Sequence, residues 1–228
     1  MPRRRVCTEV EQQECEDLFT RHGPLSVRYA RNELICQQGS YAAGVYMIES
    51  GLVSESLPLP DDIDTVPYSI LGPTDLIGLE ILLPGDSELH LTSCRAVVDT
   101  RLSFLERNAL LSALGTDEQL CRFVLGSVTE RLFALAGSLR QRNASPDQRL
   151  CSLLLDLTAT HGEPSESESV SLPHSINRRL LAELSGLSAS QFRRAWDTLP
   201  ALGGASRREG ISFSPQELRA WQQGQHPL

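Results

Sequence analysis

Apolar residues fall into distinct periodicities along this chain. From residue 25 to 106 they come in short runs separated by turn residues. Gln38-Gly39-Ser40 precedes Val45-Tyr46-Met47-Ile48, and Ser50-Gly51 precedes Leu52-Val53. An acidic stretch from Pro58 to Pro67 leads to Tyr68-Ser69-Ile70-Leu71, then Leu76-Ile77-Gly78, the turn Pro84-Gly85-Asp86, Arg95-Ala96-Val97-Val98 and Arg101-Leu102-Ser103-Phe104-Leu105. Many short strands with close turn signals predict an antiparallel roll or barrel. The period then lengthens. Thr116 and Gln119 are spaced as a capping box, and helical periodicity runs on to about Arg142. Such a helix is ~27 residues and ~40 Å long. Cys121, Leu125, Val128, Leu132, Leu135 and Leu139 recur every three or four residues, which predicts a coiled-coil seam for a parallel homodimer. Leu120, Phe123 and Val124 form a second apolar face for the roll. A single helix buried on the roll is the alternative. Asn143–Asp147 is expected to be a hinge, Gln148–Thr160 a further helix with Leu150, Leu153, Leu154 and Leu157 inside, and Glu163–Ser169 an exposed polar loop.

The last third of the chain carries the sharpest pattern. Leu180, Leu181 and Leu184 repeat at helical spacing, and Ala182 is small enough for close helix crossing. Gly186 ends that helix, because glycine tolerates positive φ. Leu187 plugs the core, and Ser188 is a good N-cap for a second helix. Phe192, Ala195, Trp196 and Leu199 make its inner stripe, while Ala189, Ser190, Gln191, Arg193 and Arg194 lie outside. Two helices joined by such a turn predict a helix-turn-helix, with the second helix in the DNA major groove. Arginine can fork onto guanine, glutamine can pair with adenine, and serine can hold phosphate or base. Arg207-Arg208-Glu209-Gly210-Ile211-Ser212-Phe213 reads as a hairpin, a wing whose arginines would hold the backbone. An ordinary helical hairpin with solvated arginines is the alternative.

Composition narrows the picture. All 21 basic residues are arginine, which excludes a phosphate-loop lysine and a Schiff-base lysine. The net charge of −8 looks wrong for a DNA binder, but its distribution does not. Residues 170–228 hold 7 Arg against 4 acidic residues, a balance of +3, and the remainder is −11. No hydrophobic run approaches the ~20 residues of a membrane span, and no apolar signal region follows the basic start, so a cytoplasmic protein with no membrane partner is expected. The six cysteines should then be reduced thiols or metal ligands. His22, His90, His161, His174 and His226 lack a Cys or Ser partner in any recognised motif, so no enzyme is expected.

Roll, long helix, hinge and winged helix-turn-helix, in that order, resemble the CRP/FNR superfamily of bacterial regulators. The resemblance rests on Gly39, Val45-Tyr46-Met47-Ile48-Glu49-Ser50-Gly51, Gly72-Pro73-Thr74-Asp75-Leu76-Ile77-Gly78 and residues 179–199, and it covers roughly residues 20–220. It implies an α+β chain: a tail and cupin-like antiparallel β-roll over 1–115, a dimerisation helix over 116–143, and a winged helix-turn-helix over 144–228. It further implies a homodimeric transcription factor on a palindromic operator in double-stranded DNA, meeting RNA polymerase if it activates. The effector would be sensed by the roll and relayed through the long helix. Candidate DNA-binding residues are Ser188, Ala189, Ser190, Gln191, Arg193, Arg194, Arg207 and Arg208.

Two departures from the family pattern stand out. Its cyclic-nucleotide binders carry Gly-Glu after the Leu-Ile run and an Arg-Ser or Arg-Thr pair about ten residues later. Here Leu79 separates Gly78 from Glu80, and Leu89-His90 stands where the pair would fall. A phosphate needs a cation or aimed amides, so cyclic AMP is not the expected effector. The family's recognition helix also presents a Glu-Thr pair before an arginine. Ser190-Gln191 replaces that pair, while Arg194 keeps the arginine position.

Oxygen-sensing members of the family hold an iron–sulfur cluster, and Cys7, Cys15, Cys36 and Cys94 are the candidate thiolates for a redox-active centre here. The alternative makes Cys36 and Cys94 small buried hydrophobes and leaves Cys7 and Cys15 in a loose tail. His22 and His90 are candidate haem ligands, a weaker option. Cys121 on the seam offers a thiol switch or simple packing. A ligand- or metal-binding roll whose DNA-binding half has degenerated is the competing function.

Overall fold

The alternation Val45-Tyr46-Met47-Ile48 shows how the first half of the chain is built. Val45 and Met47 face one core and Ile48 faces another, with Tyr46 packed beside it. A strand covered on both faces reads as a continuous apolar run, because successive side chains point to opposite sides. The computed structural model describes residues 9–58, 65–83, 89–140, 144–164, 169–199 and 211–222. The chain divides into two compact units, the first running from Cys7 to Ala134 and the second containing Leu135–Leu228.

The first unit opens with helix α1 (Glu9–Thr20), in the stretch expected to be a tail. Eight strands follow: β1 (Leu25–Tyr29), β2 (Leu34–Cys36), β3 (Gly44–Ser50), β4 (Val53–Pro58), β5 (Thr65–Leu71), β6 (Leu76–Ile77), β7 (Ser93–Ala96) and β8 (Thr100–Glu106). They form two four-stranded antiparallel sheets, ordered β1-β8-β3-β6 and β2-β7-β4-β5. This is the expected β-roll. Between the sheets lie Ile35, Cys36, Ile48, Val53, Leu71, Ile77, Cys94, Ala96 and Leu102. Outside the first sheet, Val45, Met47, Leu76 and Leu105 pack with Phe19 of α1, Leu110 of helix α2 (Arg107–Leu114), and Leu120 and Val124 of helix α3 (Glu118–Arg140).

The start of α3 corrects the expected capping box. Asp117, not Thr116, caps the helix, its carboxylate accepting from the backbone N–H groups of Gln119 and Leu120. Thr116 instead donates to the carbonyls of Ser112 and Ala113, closing α2. An ionised carboxylate at a helix N-terminus gains from both the orphan N–H groups and the helix dipole.

The second unit begins, beyond the end of α3, with α4 (Pro146–His161). Ser145 and Gln148 form a reciprocal capping box with proline at the first turn, so the helix starts two residues before the expected Gln148. Strands β9 (Glu163–Pro164), β10 (Val170–Leu172) and β11 (Ile211–Phe213) form a small antiparallel sheet in the order β11-β10-β9. The expected polar loop therefore starts as a strand. Helices α5 (Arg178–Ser185), α6 (Ala189–Thr198) and α7 (Pro215–Gln222) complete the unit, and α5, α6 and α7 all contact α4. Leu150, Leu154, Leu181, Phe192, Ala195, Trp196, Ile211, Phe213 and Leu218 are buried there.

Candidate nucleic-acid interface and sensor centre

The helix-turn-helix is built as its residue pattern dictates. Asn177 caps α5 by accepting from the N–H of Leu180. Gly186 ends the helix at φ 60°, the left-handed conformation that glycine adopts without strain. Arg149 of α4 donates to the Ser185 carbonyl at 2.7 Å, satisfying one of the orphan acceptors of α5. Leu187 is buried in the turn, as expected. Ser188 then caps α6 in a second capping box: its hydroxyl accepts from the Gln191 N–H at 3.3 Å, and the Gln191 side-chain oxygen accepts from the Ser188 N–H at 3.0 Å. The Gln191 amide oxygen is thus committed to the helix terminus.

The faces of α6 segregate cleanly. Phe192, Ala195 and Trp196 are buried, whereas Ala189, Ser190, Gln191, Arg193 and Arg194 are exposed. Arg178 of α5 lies over the Trp196 ring at 4.3 Å from its centroid, a cation–π contact that sequence reading missed. Arg179 pairs with Glu183 at 3.0 Å. Arg193 and Arg194 have no ion-pair partner among the described residues, so their guanidinium donors face solvent. Ile211–Phe213 pairs with Val170–Leu172. Arg207, Arg208 and the turn expected at Glu209-Gly210 lie outside the described residues.

On α3, the expected seam positions divide from the roll-facing ones. Leu120 and Val124 are buried, while Leu125, Val128 and Leu132 are 60%, 43% and 64% exposed and Cys121 is half-buried. The side chains of Leu135 and Leu139 lie outside the described residues.

The roll interior holds a polar cluster. Cys36 and Cys94 stand opposite each other on the antiparallel pair β2 and β7. The Cys36 thiol donates to the Thr92 carbonyl at 3.9 Å. His90 Nδ1 lies 2.5 Å from Glu80 Oε1. Gly78, at φ 88°, admits this packing, since a Cβ there would meet the Gly44 carbonyl at 2.6 Å and His90 at 3.6 Å. Thr92 Oγ1 donates to Glu55 at 3.0 Å and lies 4.0 Å from the Cys94 sulfur. Arg131 of α3 donates to the other Glu55 oxygen at 3.2 Å, compensating a carboxylate that is only 4% exposed.

Charge in this cluster is strongly perturbed. The Cys94 hydrogen bond, aided by His90, holds the Cys36 thiol down at about 6 against the opposing effect of burial. Contact with Cys36, then with Glu80, holds His90 up at about 9. Burial pushes Glu80 upward, but its hydrogen bond with His90 prevails and the net shift is down. Cys94 is pushed far up by Cys36 and by burial. Burial, with Glu55 beside it, also pushes the Tyr68 hydroxyl up. These shifts favour the charged forms of Cys36 and His90 and the neutral form of Cys94.

The four candidate metal thiolates are not brought together. Cys15 packs against the core outside the first sheet, whereas Cys36 and Cys94 lie between the sheets. Among the described residues no group of three or more His, Cys, Asp or Glu side chains is placed to hold a metal ion. Cys7 lies outside the described residues. The two candidate haem ligands are engaged elsewhere, His22 with Asp117 at 3.0 Å and His90 with Glu80. No described helix is long and apolar enough to cross a membrane.

Residues 26–117 match the cyclic nucleotide-binding domain family. No curated protein matches the chain. Among solved structures, FixK2 from Bradyrhizobium japonicum is 22% identical, with a TM-score of 0.69 over 86% of this chain and 96% of that one. The c-di-GMP-responsive global regulator CLP of Xanthomonas campestris is 20% identical, with a TM-score of 0.69 over 89% and 99% of the two chains. A cyclic nucleotide-binding domain containing protein of Listeria monocytogenes is 15% identical, with a TM-score of 0.71 over 91% and 97%.

Proposed function

We propose that this chain, whose residues 26–117 belong to the cyclic nucleotide-binding domain family and whose fold is that of the CRP/FNR superfamily, is a homodimeric DNA-binding transcription regulator and not an enzyme. The observation that carries this reading is the outer face of α6: Arg193 and Arg194 stand exposed on a helix whose opposite face is locked into a core. A rigid helix presenting exposed guanidinium groups suits the major groove, where arginine forks onto guanine. With its amide oxygen held by Ser188, Gln191 sets the helix terminus, and the arginines carry base recognition with Ser190 beside them. Ala189 and Ser188 open the helix toward phosphate, and Arg207 and Arg208 add backbone contacts.

The exposed strip of Leu125, Val128 and Leu132 suits a second copy of the chain. Two copies related by a two-fold axis place two recognition helices on a palindromic operator. The roll supplies the signal, which is not cyclic AMP. Leu89-His90 stands where the phosphate-clamping pair would fall, His90 is already paired with Glu80, and Arg131 is paired with Glu55. Neither cation is free for a phosphate. Selecting bound sequences from a random DNA pool tests the reading. Enrichment of a two-fold symmetric site supports it, and failure to enrich any sequence would favour a roll protein with a degenerate DNA-binding half.

A further inference from the structure

We propose that Cys36 and Cys94 are a thiol–disulfide pair inside the β-roll, oxidised by hydroperoxides, through which the redox state of the cell reaches helix α3. This rests on the regulator reading above and names the signal its roll would sense. Geometry carries it. The two cysteines are Cα partners on neighbouring antiparallel strands. In a regular antiparallel ladder such partners are about 4.5–5.5 Å apart, inside the range a disulfide spans, and here the register shifts between Leu34 and Cys36. Both sulfurs lie against Thr92, the Cys36 thiol donating to its carbonyl at 3.9 Å and the Cys94 sulfur 4.0 Å from its hydroxyl, and His90 is paired with Glu80. Cys36 is 6% exposed and Cys94 fully buried, so a small oxidant meets Cys36 first.

The chemistry balances with hydrogen peroxide as oxidant. The Cys36 thiolate sulfur attacks one peroxide oxygen, the O–O bond breaks, and the departing hydroxide takes the His90 proton and leaves as water. Cys36 is now a sulfenic acid. The hydrogen-bonding thiolate of Cys36, the largest influence holding the Cys94 proton in place, is gone. The Cys94 sulfur then attacks the Cys36 sulfur, the S–S bond forms, and the sulfenic oxygen leaves with the Cys94 proton as a second water. Two thiols lose two electrons and two protons in all, and one peroxide is reduced.

A route from the sulfurs to α3 is present in the same cluster. The Cys94 sulfur lies against Thr92, Thr92 holds Glu55, and Glu55 holds Arg131 on α3. Drawing Cys94 toward Cys36 shifts the Thr92 contact and hence the carboxylate that anchors the helix.

The test uses the full-length reduced protein, with and without hydrogen peroxide, followed by thiol blocking and cleavage at glutamates. That cleavage separates Cys36, in Leu34–Glu49, from Cys94, in Leu89–Glu106. The proposal predicts these two peptides joined, with the loss of two hydrogens. In Cys94→Ser, Cys36 should stop at a sulfenic acid captured by a 1,3-diketone probe, and in Cys36→Ser no link should form. Affinity for a selected operator should change ~5-fold or more on oxidation, and in neither serine variant. If the peptides stay separate while the protein binds DNA equally with and without peroxide, the pair is refuted and the regulator reading stands. If the peptides join but no DNA is bound in either state, the regulator reading fails and the thiol pair stands.

Discussion

The roll interior and the outer face of α6 treat charge in opposite ways. At the roll, buried Glu55 and His90 and partly buried Glu80 and Arg131 are paired with one another or with a hydroxyl. On α6, Arg193 and Arg194 are exposed and have no ion-pair partner among the described residues. A buried, fully partnered cluster couples its members tightly, so that changing one protonation or oxidation state disturbs the rest. An exposed guanidinium contributes little to folding and is available for a partner that brings negative charge. Under the proposed function the contrast would separate sensing from binding, and it predicts that substitutions in the two regions have opposite signatures.

The largest effect is expected at the strip on α3. Leu125→Arg with Leu132→Arg places like charges across the seam and should convert dimer to monomer by light scattering, abolishing tight operator binding. An unchanged mass would remove the seam from the account. Arg131→Leu leaves Glu55 buried without its cation, and should lower the stability of the first unit by ~3 kcal/mol. Arg194→Ala should do the reverse: operator affinity falls ~10- to 100-fold, as for a lost arginine–guanine pair, while unfolding shifts by no more than ~0.5 kcal/mol. Should Arg194→Ala destabilise the fold instead, the comparison between the regions breaks down.

A smaller effect concerns pH. Cys36, held down to about 6, contributes stability that is present above its unfolded value of 9.0 and lost as pH falls through about 6. His90, held up to about 9, contributes stability that is fully present below its unfolded value of 6.5 and lost as pH rises through about 9. Between about 6.5 and 9 the two slopes oppose each other, so stability should be nearly flat with pH. Cys36→Ser removes one slope and leaves His90 held by Glu80, so the variant should lose stability as pH rises across that interval. Thermal unfolding at both ends of it reads the difference. The smallest change is Gly186→Ala, which asks alanine to adopt a φ of 60° and should cost about 1 kcal/mol in the second unit.

What the sequence revealed followed from local spacing. The alternation at Val45–Ile48, the glycine stop at 186 and the N-cap at Ser188 are each decided within a few residues, and the roll and the helix-turn-helix were legible from them. Helix α1 was not, because among its residues whose burial is described only Leu18 and Phe19 are buried, at its last turn, and the remaining residues show little periodicity. Short α2 begins at a Glu106 cap, outside the usual serine, threonine, asparagine and aspartate set. The buried cluster was illegible for a different reason. Cys36, Glu55, Glu80, His90, Thr92 and Arg131 come from separate strands and a helix, and only the pairing of β2 with β7 and β7 with β4 brings them together. The spacing of cysteines along the chain suggested four thiolates for a metal. The fold places Cys15 and the Cys36–Cys94 pair in different cores.

The central claim is that two copies of α6 read a two-fold symmetric DNA site. Selection of bound sequences from random double-stranded DNA by the reduced full-length protein measures it directly. The account predicts an enriched palindrome with guanines in each half-site, lost in Arg194→Ala. Recovery of no preferred sequence from a correctly folded dimer would contradict it.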